Sequence, residues 1–233
     1  MAKQPLRVKA VIFDLDETLI DSHNAHAVAY ARVAEMLAAY LKKTGRNLNS
    51  VTVYNTVEKV ADRMNRLTNY RRDSWWQEVL KDLGIKHTLP RSLRSELTRN
   101  YWEAYASSSP PYSDTMEVLN YLKEKGYRLG LISDTDGTPG MKRRRIDALS
   151  FKERFDLIII SGEDSKRTKP DPEPYLLAAE RLNLRPEDCV YVGDKPFLDV
   201  KGAKRAGMKS ILIHRRDWGA DDPPDLAVTS LSE

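Results

Sequence analysis

An apolar run that stops abruptly at two aspartates constrains this chain more than any other feature. Residues 9–13, Lys-Ala-Val-Ile-Phe, are too short and too β-branched for a helix and have the unbroken apolar character of a strand buried in a parallel sheet. Asp14, Leu15, Asp16, Glu17 and Thr18 follow at once. Ligands of open α/β sheets bind beyond the carboxyl ends of the strands, so two carboxylates placed there are positioned for chemistry rather than for the core. Taken alone, the same pattern is also compatible with a helix cap or a turn. The rest of the chain has to decide.

Beyond residue 21 the pattern is helical and strand-free for some distance. Apolar positions at Val28, Val33, Met36, Leu37, Tyr40 and Leu41 recur at helical spacing, predicting a helix over 26–43. Further helices are expected over 51–67, 71–83 and 92–106, with breaks at 44–47 and 87–90. After the Ser/Pro-rich loop 107–111 the period changes. Helices over 114–125, 141–149, 174–182 and 196–206 alternate with strands over 128–132, 156–160, 189–192 and 210–213. Alternation of this kind specifies an α/β fold: a Rossmann-like parallel sheet with helices on both faces. The first strand must join that sheet, because alone it could bury nothing. The expected organisation is a core of residues 1–21 and 110–233, interrupted by an inserted all-helical cap of residues 22–109. The segment from Pro223 to Glu233 reads as a short tail without assigned structure.

Three more strand ends carry polar groups. They are Ser133 and Asp134, then Lys169 within Lys-Pro-Asp-Pro after a polar loop, then Gly193 and Asp194 with Asp199 five residues later. A parallel sheet brings these ends to one edge, so Asp14, Asp16, Ser133, Lys169, Asp194 and Asp199 are expected to converge. Carboxylates about 4 Å apart repel by roughly 1 to 4 kcal/mol per pair, depending on the local dielectric. A divalent cation and a lysine relieve that repulsion. With oxygen ligands only and a phosphate partner, Mg²⁺ is the natural ion. Such a site suits an anionic substrate: metal and Lys169 absorb its charge, Ser133 donates a hydrogen bond, one carboxylate attacks and the other shuttles a proton.

Asp14-Leu15-Asp16-Glu17-Thr18, Ser133, Lys169 and Gly193-Asp194 with Asp199 resemble, in order and in placement, the four motifs of the haloacid dehalogenase-like hydrolase superfamily. The resemblance spans residues 8–213. It implies a helical cap between the first and second motifs and phosphoryl transfer through an aspartyl-phosphate. Carried onto this sequence, it makes Asp14 the nucleophile and a Mg²⁺ ligand. Asp16 becomes the general acid and base and offers its backbone carbonyl to the metal. Thr18 supports the Asp16 loop and the phosphate site. Ser133 and Lys169 hold phosphoryl oxygens, Asp194 ligates Mg²⁺, and Asp199 fixes Lys169 or a metal-bound water. Asp134 stands where relatives often carry asparagine; beside a phosphate it weakens anion binding unless it turns away or pairs with a base. Asp16 separates the branches, because carbon–halogen cleavage needs no protonated leaving oxygen. The reading is therefore a phosphatase acting on a small phosphorylated metabolite. A phosphomutase or a 2-haloacid dehalogenase-type hydrolase of the same superfamily are the alternatives within it. From another class, a receiver-like phospho-aspartate regulatory protein would lack both the insertion and Asp16.

Composition narrows the partners. The 38 Lys and Arg against 34 Asp and Glu leave a net charge of +4, compatible with an anionic ligand but too small to imply nucleic acid. The basic start (Lys3, Arg7, Lys9) precedes too few apolar residues for a signal peptide or a membrane span, so a cytoplasmic protein is expected. The single cysteine, Cys189, lies in an apolar run and reads as a buried structural thiol. Lys142-Arg143-Arg144-Arg145 reads as a solvated helix face, with contact to a charged ligand or partner as the alternative. Trp75, Trp76 and Trp102 read as core of the insertion, and Arg71 and Arg72 as residues that could reach an anionic substrate from it. His23, His26, His87 and His214 lack the company of a metal site. The sequence carries no mark of oligomeric state.

Overall fold

A computed structural model describes residues 8–67, 69–219 and 222–233. Lys3 and Arg7 of the basic start lie outside the described residues. Two compact units emerge: one from the described residues of 1–21, 111–135 and 142–233, the other from 22–110 and 136–141.

The first unit is a six-stranded sheet, parallel throughout, in the order β3-β2-β1-β4-β5-β6. Its strands are β1 (Ala10–Phe13), β2 (Arg128–Asp134), β3 (Leu157–Ser161), β4 (Cys189–Gly193), β5 (Lys209–Ile213) and β6 (Leu226–Val228). Strand β1 sits at the centre and pairs with both β2 and β4, Phe13 lying in register with Leu131 and Val192. Both its faces are covered, which is why no polar residue interrupts it. Alternation sorts its side chains: Ala10 and Ile12 join one core with Tyr175, Tyr191 and Ala203, while Val11 and Phe13 join another with Leu119, Leu131 and Ile146. The first core is built with α7 (Glu173–Arg181) and α8 (Lys201–Arg205), the second with α5 (Thr115–Glu124) and α6 (Met141–Asp147). The chain builds outward from β1 through β2 to β3, then returns to the other side at β4. The order therefore reverses beside β1, where such sheets bind their ligands.

Two features of this unit depart from the sequence reading. The segment from Pro223 onward is ordered: β6 extends the sheet, and Asp225 anchors it by accepting from Ser210 N (2.8 Å) and Ser210 Oγ (2.9 Å). The helix expected over 196–206 opens instead with a π-helical turn, Pro196–Val200, before α8. Cys189 is buried, and burial pushes its thiol up to about 11.

The second unit is helical: α1 (His23–Lys43), α2 (Ser50–Arg66), α3 (Arg72–Asp82) and α4 (Arg91–Ser107). Ala25, Ala29, Tyr30, Val33, Ala34, Leu37 and Leu41 form the buried stripe of α1. Asn49 caps α2 by accepting from Thr52 N at 2.8 Å. Trp75, Trp76 and Trp102 are buried in the shared core. Arg72 is buried as well, its guanidinium carbon 4.3 to 4.5 Å from the ring centres of Trp75, Tyr101 and Trp102 and its Nη2 donating to Tyr101 Oη at 3.0 Å. Those ring faces supply part of what water would otherwise give the charge. His26 lies in the same aromatic group, 2.7 Å from Tyr101 Oη. The connection after β2 belongs to this unit, with Met141 packed on its core. Gly137, at φ +74°, admits no side chain there, because a Cβ would fall 1.8 Å from the Tyr70 carbonyl oxygen.

Candidate active site

Every strand-end residue singled out in the sequence lies in the sheet unit. Asp14 leaves β1 with its N–H still bonded to Val192 O at 2.9 Å, which fixes its carboxylate beside the end of β4. Lys169 reaches it from the loop after β3: Nζ donates to Asp14 Oδ1 and to Asp199 Oδ1, both at 2.7 Å, and to Tyr191 Oη at 3.3 Å. Tyr191 in turn donates to Ile132 O, tying this cluster to β2. The second oxygen of Asp199 accepts from Lys195 N at 2.9 Å. Asp194 follows β4; its Oδ1 pairs with Lys195 Nζ at 3.4 Å and its Oδ2 accepts from Trp218 Nε1 at 2.9 Å.

Oxygens of Asp14, Asp194 and Asp199 all lie within 4.8 Å of one another, and all three residues are buried. Burial pushes the Asp14 carboxyl above its ordinary range, Lys169 opposing and Asp199 adding to the rise. Burial likewise lifts Asp194 to about 7; Lys195 opposes, while Asp199 and Asp14 push it further. Desolvation opposes the charge on Lys169, but Asp14 and Asp199 outweigh it and raise its pKa well above the lysine range. Burial acts in the same sense on Lys195, again outweighed by carboxylates, chiefly Asp194. Three buried carboxylates that present only oxygen, balanced in part by two lysines, fit a small hard cation.

Glycine at 193 is required by this packing, since a Cβ there would lie 2.4 to 2.5 Å from Asp199 Cβ, Cγ and Oδ2. Glu17, at φ 64°, holds a left-handed conformation costly for a side-chain-bearing residue, and its N–H bonds Ile20 O at 2.9 Å. That tight loop carries Asp16 and Thr18. Thr18 Oγ1 is buried without a hydrogen-bond partner among the described residues, and Ser133 is buried near the end of β2.

Residues 8–207 match the haloacid dehalogenase-like hydrolase family. The chain belongs to that family. It is 28% identical to a glyceraldehyde 3-phosphate phosphatase of Methanopyrus kandleri over 95% of this chain and 93% of the relative. It is 30% identical to a phosphoglycolate phosphatase of Escherichia coli over 97% of this chain and 90% of the relative. Among solved structures, a 2-haloacid dehalogenase from Pseudomonas syringae superposes with a TM-score of 0.65 at 27% identity, covering 97% of this chain and 95% of the other.

Within this hydrolase the Asp16 carboxylate is not part of the three-carboxylate cluster. Its Oδ2 accepts from Lys142 Nζ at 2.7 Å and its Oδ1 from Arg145 Nη2 at 2.5 Å. Asp199 takes the third place in the cluster. The basic run 142–145 is accordingly not a solvated face. Lys142 and Arg145, three apart on α6, are buried against Asp16, while Arg143 pairs with Asp164 at 2.9 Å and Arg144 alone is exposed. Asp134 accepts from Ser161 Oγ and, at 3.1 Å, from Lys169 N, so it braces the loop that carries Lys169. Sequence reading missed Lys195, Trp218, Tyr191, Lys142 and Arg145. One signal was present, Lys195 adjoining Asp194; Tyr191 lies in a strand that is buried throughout and is set apart by no pattern.

Proposed function

We propose that this hydrolase is a Mg²⁺-dependent phosphatase that acts on a small phosphorylated metabolite through an aspartyl-phosphate on Asp14. The observation that carries the reading is the gathering of Asp14, Lys169, Asp194 and Asp199 at the ends of β1 and β4, from positions up to 185 residues apart. Asp14, Asp194 and the Asp16 backbone carbonyl would hold Mg²⁺, with Asp199 beside them. When bound, the ion screens the repulsion between carboxylate and phosphate.

In this mechanism Asp14 attacks phosphorus with the carboxylate oxygen not engaged by Lys169. Lys169 and Ser133 hold phosphoryl oxygens, with Thr18 supporting the loop. Asp16 gives a proton to the departing alkoxide and then takes one from the water that cleaves the acyl phosphate, returning Asp14 to its starting form. The helical unit serves as a cap that selects small esters. The phosphatase names of the two curated relatives support this reading. The dehalogenase structure favours carbon–halogen cleavage as a second reading; Asp16 speaks against it, because a halide leaves without a proton. A phosphomutase would use the same residues and differ in the fate of the phosphoryl group.

The test is hydrolysis of a panel of small phosphate monoesters by metal-stripped protein with and without added Mg²⁺, alongside Asp14→Asn. Phosphate release that requires Mg²⁺ and disappears in the folded variant is the expected result. Turnover retained by Asp14→Asn removes Asp14 as nucleophile, and release of halide from a 2-haloacid without any phosphate release favours the second reading.

A further inference from the structure

Both oxygens of Asp16 are engaged by buried cations. Lys142 and Arg145 converge on them from one face of α6, with side chains only 4% and 6% exposed, whereas the Asp16 side chain is 21% exposed. Two cations meeting one carboxylate in this way form a carboxylate-binding site, here filled by the protein's own Asp16. Proton transfer to a leaving oxygen needs one Asp16 oxygen turned toward the ester. In the arrangement seen, each is instead turned toward a cation.

We propose that Lys142 and Arg145 recognise a compact anionic group, carboxylate or phosphate, carried by the leaving group of the substrate, and that this group takes the place of Asp16 and frees it for proton transfer. The inference rests on the phosphatase reading and narrows its substrate class to phosphate esters whose leaving group carries a second anion. A substrate of that kind replaces one charged partner of the buried cations with another. A neutral leaving group frees Asp16 only by taking a counterion from them, which a buried pair resists.

The experiment compares kcat/KM for matched esters. The carboxylate arm uses 2-phosphoglycolate and its neutral amide; the phosphate arm uses ethylene glycol bisphosphate and ethylene glycol monophosphate. A preference of about tenfold or more for the charged member of at least one arm is expected, the arm identifying the anion. In Lys142→Gln and Arg145→Gln that preference falls to about threefold or less, with Arg145→Lys keeping more of it than Arg145→Gln. Equal kcat/KM for both members of both arms in the parent protein overturns the inference while leaving the phosphatase reading in place. So does a preference that persists in the glutamine variants. Failure of the parent protein to hydrolyse any of the four esters, or p-nitrophenyl phosphate, overturns the phosphatase reading and this inference with it. Because the first comparison uses the parent protein, its outcome stands even if a variant misfolds.

Discussion

Replacing Lys169 by methionine tests whether the carboxylates at the sheet edge are held by charge balance. The substitution keeps much of the side-chain volume and removes two ion pairs of 2.7 Å, leaving Asp14 and Asp199, 5% and 1% exposed, without their shared cation. Breaking a buried pair by deleting one partner costs about 3 to 5 kcal/mol. For a chain of this size each kcal/mol moves Tm by about 2 to 4 °C, so the expected fall is about 6 to 20 °C. The deficit carries a sign with pH. Burial already raises Asp14 with Lys169 opposing, so removing the lysine raises it further. A carboxyl whose pKa is higher folded than unfolded binds more protons when folded, and stability drops as pH rises through the folded value. The deficit of Lys169→Met is therefore full above the raised folded value and shrinks toward pH 4. Thermal and urea melts in chelator at pH 5 and pH 8, followed by near-ultraviolet circular dichroism, measure it. A deficit below about 1 kcal/mol, the range of exposed pairs, or one that grows as the pH falls, refutes the argument.

Two further substitutions test the packing around the carboxylates. Gly193→Ala forces Asp199 away from a Cβ that would lie 2.4 Å from its Cγ, so a folded variant should lose about tenfold to a hundredfold in phosphate release through misplacement of Lys169. Steady-state rates equal to those of the parent protein would show that Asp199 is not needed in that position. Trp218→Phe removes the 2.9 Å hydrogen bond to Asp194 Oδ2 while keeping a ring to pack against Phe197. Mg²⁺ affinity measured by calorimetry should weaken about tenfold, and an unchanged affinity excludes Trp218 from orienting the ligand.

What could be read from the sequence, and what could not, follows from how each feature is encoded. Strands β1 and β4 are apolar throughout because both faces are covered, and the four helices of the insertion repeat their buried residues every three or four positions; periodicity reports both. Asp14, Lys169, Asp194 and Asp199 were found because a parallel sheet turns a position along the chain, the strand end, into a position in space. Strand β6 has three residues behind two prolines and is specified by Asp225 and its bonds to Ser210, which no local pattern announces. Lys142 and Arg145 make the sharper case. A run of four basic residues reads as solvated, since burying a lone cation is costly; the carboxylate that offsets the cost lies 126 and 129 residues away. Burial of charge is a property of pairs, and a pair formed across such a separation leaves no trace in either neighbourhood. Asp16 was legible as a group for proton transfer and illegible as a counterion. If both descriptions hold, the residue must exchange one role for the other during turnover, and the basic pair on α6 becomes the place where the substrate can govern that exchange.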